Sequence, residues 1–381
     1  MRFPEFSGEW QSCNIGDYGE VITGNTPPTS EHINYADGTH LWASPVDLGK
    51  TKFVTDTLTK LSSIGFSKTR KLPDGSILVT CIGSTIGKMG MAATEMSTNQ
   101  QINSVVVNAQ NDKHFVYYAL QSRFPRYLTS VAVQAVPIMS KSSFEKLQNY
   151  RTALEEQKKI GYLLNLIDER ITTQIRIIED FKSLSDVICE RLYIASGKES
   201  WQTYKYTDLF SISNERNSKL QYTNVLSASQ EFGMIERNEL NIDIKFEAAS
   251  ITNYKIVRPN QYVIHLRSFQ GGFAYSEKTG VCSPAYTILV PNEKLSTAFL
   301  KYYFTSNRFI DSLRIVTYGI RDGRSISVDE FLQLKVTIPD IAHQQHIVQV
   351  MQLWEEKIRT EEEYLSRLYQ QKKYLLSSMF I

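Results

Sequence analysis

The chain has 381 residues, with 42 Lys and Arg against 40 Asp and Glu, a formal charge of +2, and 42% apolar side chains. That length is long for one core and comfortable for two domains with connecting helices, and the apolar and charged fractions are those of a soluble globular protein. The near-balance of charge excludes a bulk electrostatic footprint for nucleic acid, so any DNA surface must be local, with acidic helices offsetting basic clefts.

In chain order, Met1 to Trp10 carries Pro4, Glu5 and Glu9 and has no basic start followed by an apolar run, so it does not read as a signal peptide. No stretch is apolar for long enough to cross a bilayer, and no membrane role is expected. Cys13, Cys81, Cys189 and Cys282 are scattered without CxxC spacing. That argues for reduced thiols in a cytoplasm-like compartment and against a zinc site. A cytoplasmic location and no metal are expected.

Residues 1–150 are rich in Gly, Thr and Ser, with short apolar runs such as Ser76–Cys81 and Ser104–Val107. Turns are expected at Pro27-Pro28, Asp37-Gly38 and Pro73-Asp74-Gly75. This pattern predicts a β-dominated domain with a helix over His114 to Phe124. Within it, Gly83-Ser84-Thr85-Ile86-Gly87-Lys88 resembles a phosphate loop, but a P-loop needs one more residue between its glycines and a Ser or Thr where this chain has Met89. The glycines still permit close approach of backbone to backbone, with Ser84, Thr85 and Lys88 turned to a phosphodiester. Asn99, Gln100, Gln101 and Asn103 then place four amides in five residues, a group able to bond adenine in the major groove or to cap turns.

Residues 151–195 read as a long helix. Ile160, Leu164, Ile167, Ile171, Gln174, Ile178, Phe181, Ser185, Ile188 and Leu192 alternate steps of four and three, a coiled-coil period. Its outer face offers Glu155, Glu156, Lys158, Lys159 and Glu179 for docking of partners. Gly197 and the polar residues around it close the helix and open a second domain over 196–340. There Arg267, Ser268 and Gln270 stand beside Gly271-Gly272, and Arg314, Arg321 and Arg324 gather near Gly319 and Gly323. Arginine beside glycine can address guanine or phosphate.

Residues 341–381 repeat the helical seam as Ile347, Met351, Trp354, Ile358, Glu361, Leu365, Leu368, Lys372, Leu375 and Met379. Ser140, Phe144, Leu147, Gln157, Leu166, Glu169 and Thr173 likewise recur 187 residues on as Ser327, Phe331, Leu334, Gln344, Leu353, Glu356 and Thr360. The globular parts echo loosely, Tyr117-Tyr118 with Tyr302-Tyr303 and Arg123-Phe124 with Arg308-Phe309. The chain is therefore a tandem duplication of α+β class, with two similar β-rich domains joined by two long antiparallel coiled-coil helices and a pseudo-two-fold internal repeat. Its two-fold plan suits a two-fold ligand, of which double-stranded DNA is the leading candidate. A parallel pairing would also match polar to polar, but each helix starting at its own domain and running towards the other makes the pairing antiparallel. That sets Gln174 against Lys372 and Ser185 against Glu361, and with them Ile171 opposite Leu375, Ile178 opposite Leu368, Phe181 opposite Leu365, Ile188 opposite Ile358 and Leu192 opposite Trp354. The shared seam is then about 38 Å long, close to one DNA turn.

Enzyme signatures fail on inspection. Pro339-Asp340 followed by Glu355-Glu356-Lys357 matches a PD…ExK nuclease pattern, yet the Glu and Lys fall inside the seam repeat. Asn25-Thr26-Pro27-Pro28 resembles an amino-methyltransferase signature with a Thr intruding and no cofactor loop before it. His343 and His346 have no third ligand in view and flank a helix start. No catalytic set and no cofactor are expected.

Taken together, Leu72-Pro73-Asp74-Gly75-Ser76, Gly83 to Lys88, Asn99-Gln100-Gln101-Ile102, Gly319-Ile320-Arg321-Asp322-Gly323-Arg324, Ile338-Pro339 and the helices containing Gln157 and Gln344 resemble the specificity subunit of type I restriction–modification systems, over nearly the whole chain. The first copy departs from that family at Asn149-Tyr150-Arg151, where a Pro-rich lead-in is common. The resemblance implies a non-catalytic reader, with residues 1–150 and 196–340 as target-recognition domains, each for one half of a bipartite DNA target. It implies helices that set the unread gap, modification (methyltransferase) subunits docked on the helical region, and restriction (translocase and nuclease) subunits. The contrasting expectation is a scaffold whose domains bind protein or glycan, which would show no salt-dependent DNA retention.

Overall fold

The computed structural model describes residues 1–131, 138–194, 201–229, 232–237, 248–265, 272–318 and 325–380. Its contacts divide into two units, one of residues 1–177 with 361–381 and one of residues 178–360. In the first unit the central sheet is five-stranded, in the order Gly19–Thr23, Ile102–Val107, Ile77–Thr80, Met89–Ala92 and Phe53–Val54. Its first three pairings are antiparallel and the last is parallel. The apolar runs at residues 77–80 and 102–105 are buried at every position, as strands covered on both faces must be. A helix over Lys113–Val131 covers the sheet. It runs beyond the expected Phe124 and through Pro125, because Phe124 and Tyr127 continue the buried stripe of Phe115 to Leu120 and that packing carries the helix across the lost N–H.

The second unit repeats this topology. Among the described residues its sheet runs Phe210–Ser213, Thr287–Pro291, Tyr262–Ile264 and Phe273–Tyr275, which matches the first four strands of the first unit's order. The core is aromatic, with Phe304 and Phe309 4.5 Å apart and Tyr206 stacked on Phe331 at 4.4 Å between ring centroids. Before each long helix comes a short strand paired back to the start of its domain: Gln148–Arg151 with Gln11–Asn14, and Lys335–Ile338 with Gln202–Lys205. Asn149-Tyr150-Arg151 therefore lies in a strand. Short helices capped by Ser140 and Ser327 precede these strands, each serine accepting the N–H three residues on, and Phe144 and Phe331 are fully buried beneath them.

The long helices are Leu154–Leu192 and Ile341–Met379, both of 39 residues. Every expected seam residue is buried or half-buried, including Ile171, Ile178, Phe181, Ile188 and Leu192 on the first helix and Trp354, Ile358, Leu365, Leu368 and Leu375 on the second. Thr173 and Thr360 return their hydroxyls to the carbonyls of Glu169 and Glu356, both at 2.9 Å, which explains why that polar pair recurs.

The seam contacts differ from the expected ones. In the first unit Gln174 donates to the Glu361 carboxylate and, at 3.2 Å, to its carbonyl, while Lys372 pairs with Asp168 at 2.7 Å. In the second unit Phe181 packs edge-on against Trp354 at 5.9 Å. Gln174 and Phe181 both meet residues eleven positions before the expected Lys372 and Leu365. Eleven residues are about three helical turns, so the same stripe still faces inward. What decides between the alternatives is satisfaction of polar groups. Gln174 can bond Glu361, whereas Lys372 gains a buried carboxylate at Asp168 that polarity matching along the seam alone does not consider.

Candidate nucleic-acid interface

In the first unit the glycine-rich segment forms a tight loop between the strands Ile77–Thr80 and Met89–Ala92. Gly87 N–H donates to the Thr80 carbonyl at 2.9 Å, and Lys88 N–H to that of Thr85 at 3.1 Å. Gly83 and Gly87 sit at φ of +91° and +93°, and a Cβ at Gly87 would lie 2.9 Å from the Phe124 ring. The loop exposes Ser84 and Lys88 and half-exposes Thr85. Beside it lies the amide-rich turn, since Cys81 N–H donates to the Gln101 carbonyl at 2.8 Å and a Cβ at Gly83 would have Gln101 Nε2 as its nearest neighbour at 3.8 Å. Sequence adjacency in two separate motifs thus becomes one surface.

The four amides divide by burial. Gln100 is exposed and accepts from Thr26, and Gln101 is half-buried. Asn99 and Asn103 are buried and committed inside the fold. Asn99 donates to Gln101 Oε1 and accepts its N–H, both at 3.0 Å, while Asn103 accepts from Thr23 at 2.7 Å. They shape the turn and leave Gln100 and Gln101 at its surface.

Behind the loop is a cleft of about 460 Å³ whose charged lining is Lys50, Lys52, Lys88, Lys372 and Asp168. Lys52 is 5% exposed, and its ammonium donates to Asn165 and His114 at 2.7 Å and to Tyr118 at 3.1 Å. Tyr118 in turn donates to Asp168 at 2.6 Å, and Lys372 holds the other oxygen of that carboxylate. Burial pushes Lys52 down to about 7 against the pull of Asp168, and burial with the Lys52 charge pushes His114 down to about 4. Sequence reading missed Lys50 and Lys52 and took Lys372 only as a break in the seam. The run Gly49-Lys50-Thr51-Lys52 was the available signal.

The second unit has the matching arrangement with different charge. Tyr302 donates to Glu355 at 2.9 Å, and Lys301 pairs with Glu355 at 3.0 Å and Glu277 at 3.2 Å. Asp168 and Glu355 are the repeat-equivalent residues, but Tyr118 corresponds in role to Tyr302, one place off the sequence alignment. Glu355 is thereby engaged within the fold, and Asp340, the other part of the nuclease-like pattern, accepts the His343 N–H at the helix start at 3.0 Å. Arg314 is exposed and pairs with Asp311 at 3.1 Å. Arg267, Ser268, Gln270, Arg321 and Arg324 lie outside the described residues.

Each long helix is tied to its own globular part by the recurrent glutamine. Gln157 Oε1 accepts from Asp112 N–H at 3.0 Å and its Nε2 donates to the Thr152 carbonyl at 2.7 Å. Gln344 Oε1 accepts from Ser296 N–H at 2.8 Å and its Nε2 donates to the carbonyls of Pro339 and Lys294, both at 2.9 Å. Of the helix-face charges, Glu155, Lys158, Lys159 and Glu179 are exposed, but Glu156 is fully buried. Arg2 holds both of its oxygens at 2.7 Å, a bidentate pair that sequence distance concealed. Among the described residues there is no cluster of three metal-ligating side chains, and no helix is long and apolar enough to cross a membrane.

A family model described as the type I restriction modification DNA specificity domain matches residues 7–180 and again 198–370. The HindI type I restriction enzyme specificity subunit of Haemophilus influenzae is 30% identical over 181 residues, covering 44% of this chain and 39% of the relative. The EcoR124I/EcoR124II specificity subunit of Escherichia coli is 23% identical over 176 residues, 44% of this chain and 43% of the relative. These alignments thus span about two fifths of each curated relative. Two solved structures share the fold over nearly the full length. One is a type I restriction–modification S subunit from M. genitalium, with a TM-score of 0.58, 15% identity and 98% and 96% of the two chains covered. The other, from work on complex assembly and conformational transition of the type I R-M system, has a TM-score of 0.60, 13% identity and 96% of each chain covered.

Proposed function

Because the chain belongs to the type I restriction modification DNA specificity domain family, we propose that it is the sequence-specific DNA-recognition subunit of a type I restriction–modification complex. Residues 1–150 and 196–340 each read one half of a bipartite target, and the helices over 151–195 and 341–381 set the unread gap. The observation that carries this reading is the repeat of one sheet order in the two units, each tied to a 39-residue helix by an equivalent glutamine. Two copies of one scaffold with divergent loops suit two half-sites of different sequence.

In the first unit Ser84, Thr85 and Lys88 face phosphate and Gln100 and Gln101 address base edges, with Asn99 and Asn103 as their internal support. In the second, Arg314 is the one expected contact among the described residues, exposed and paired with Asp311, and Arg267, Ser268, Gln270, Arg321 and Arg324 remain expected contacts from their sequence. Continuous helices of about 58 Å, from a rise of about 1.5 Å per residue, support the spacer role. Modification subunits dock on exposed helix faces, where Leu166 and Leu353 repeat as outward leucines at 37% and 67% exposure. Methyl transfer, translocation and cleavage belong to modification and restriction subunits, and this chain performs none of them. Mapping methylated adenines in a genome that carries the chain with its partners tests the proposal. A single bipartite motif with a constant gap is expected, and methylation independent of this chain removes the reading.

A further inference from the structure

The lysine-lined cleft of the first unit is not accounted for by recognition of bases. Its charged lining is four lysines against one carboxylate. Asp168 is held directly by Tyr118 and Lys372 and, with Asp112 and Glu169, attracts Lys52 through space without a hydrogen bond to it. Lys52 is a buried cation with three neutral acceptors and no carboxylate of its own. Lys50 and Lys88 are exposed at the mouth and form no ion pair among the described residues. A concave surface with an unbalanced positive lining focuses potential on a small anion.

The described residues of the second unit offer a comparison. The cleft at the matching place, between the strand Phe273–Tyr275, Tyr302, Thr305 and Glu355, has Lys301 and Glu355 as its charged lining among the described residues, and these two pair with each other. The Tyr–carboxylate bond to the long helix is common to both units, and among the described residues the surplus of lysines is found in the first unit's cleft.

We propose that this cleft seats a phosphate group of the DNA backbone, with Lys50 and Lys88 meeting the phosphate oxygens and Lys52 and Lys372 supplying fixed charge from the floor. This rests on the DNA reading above and deepens it. It adds a sequence-independent anchor at the point where the first recognition domain meets its own helix through Tyr118 and Asp168, and where Lys372 of the second long helix pairs with that carboxylate. An anion in the cleft also offsets the burial that weakens Lys52 as a cation.

The double variant Lys50→Ala with Lys88→Ala removes the mouth without disturbing the buried network, and unchanged thermal unfolding confirms its fold. It is assembled with the modification subunits and titrated with random-sequence duplexes over a range of salt. Affinity is expected to fall roughly tenfold on every sequence, with the slope of log K against log salt reduced by about 1 to 2. Retention with an unchanged slope overturns the proposal, including when phosphorus NMR shows inorganic phosphate binding to the unaltered chain, since the ligand is then a free anion. No retention of any duplex by the unaltered assembly removes the DNA reading itself.

Discussion

Lys52 is the residue whose chemistry is most displaced by the fold. Its burial lowers the folded value to about 7 from an ordinary 10.5. Between those values the unfolded chain binds more protons than the native one, so stability rises with pH. Unfolding by urea, followed through the first unit, is expected to become harder from pH 7 to pH 9. The Lys52→Met variant should show a flatter profile over that window, and an equally steep one would place the titration elsewhere. The recurrent glutamines allow a second test at this scale. Gln157→Ala strips the Asp112 N–H of its acceptor, and Gln344→Ala does the same to Ser296 N–H. Each is expected to cost about 1–3 kcal/mol in denaturant unfolding. Glutamine at these positions reads as a family signature in sequence, and only the hydrogen bonds explain it as the bolt between helix and globular part.

At the scale of elements, the seam shows how far periodicity reaches. A four-three alternation of apolar residues identifies which stripe is buried, and all twenty positions are inward. It does not choose among registers that differ by whole turns, because each presents the same stripe. That choice falls to Gln174 with Glu361, Asp168 with Lys372, and Phe181 with Trp354. Cysteines replacing Gln174 and Glu361 are expected to crosslink readily on mild oxidation, and those replacing Gln174 and Lys372 to do so poorly. The reverse yield would restore the register expected from polarity matching alone. Glu156 makes the same point on a smaller scale, since helical position puts it among exposed charges and Arg2, 154 residues away, buries it.

For the whole molecule, a spacer function predicts that inserting one helical turn at matched places in both long helices changes the unread gap and leaves both half-sites intact. Methylation mapping reads this directly, and an unaltered gap would sink the spacer idea. What the sequence by itself determined is the duplication, the α+β class and the inward stripe. Each depends on local pattern and on similarity between copies, which a linear chain carries in full. What only the tertiary structure decided is which polar groups are spent inside the fold and which are left at its surface. Asn99 and Asn103 turn inward while Gln100 stays out, and Lys50, Lys52, Lys88 and Lys372 meet around one cleft from three segments of chain. Burial and convergence of charge arise from contacts between distant residues, and a near-neutral composition averages them away.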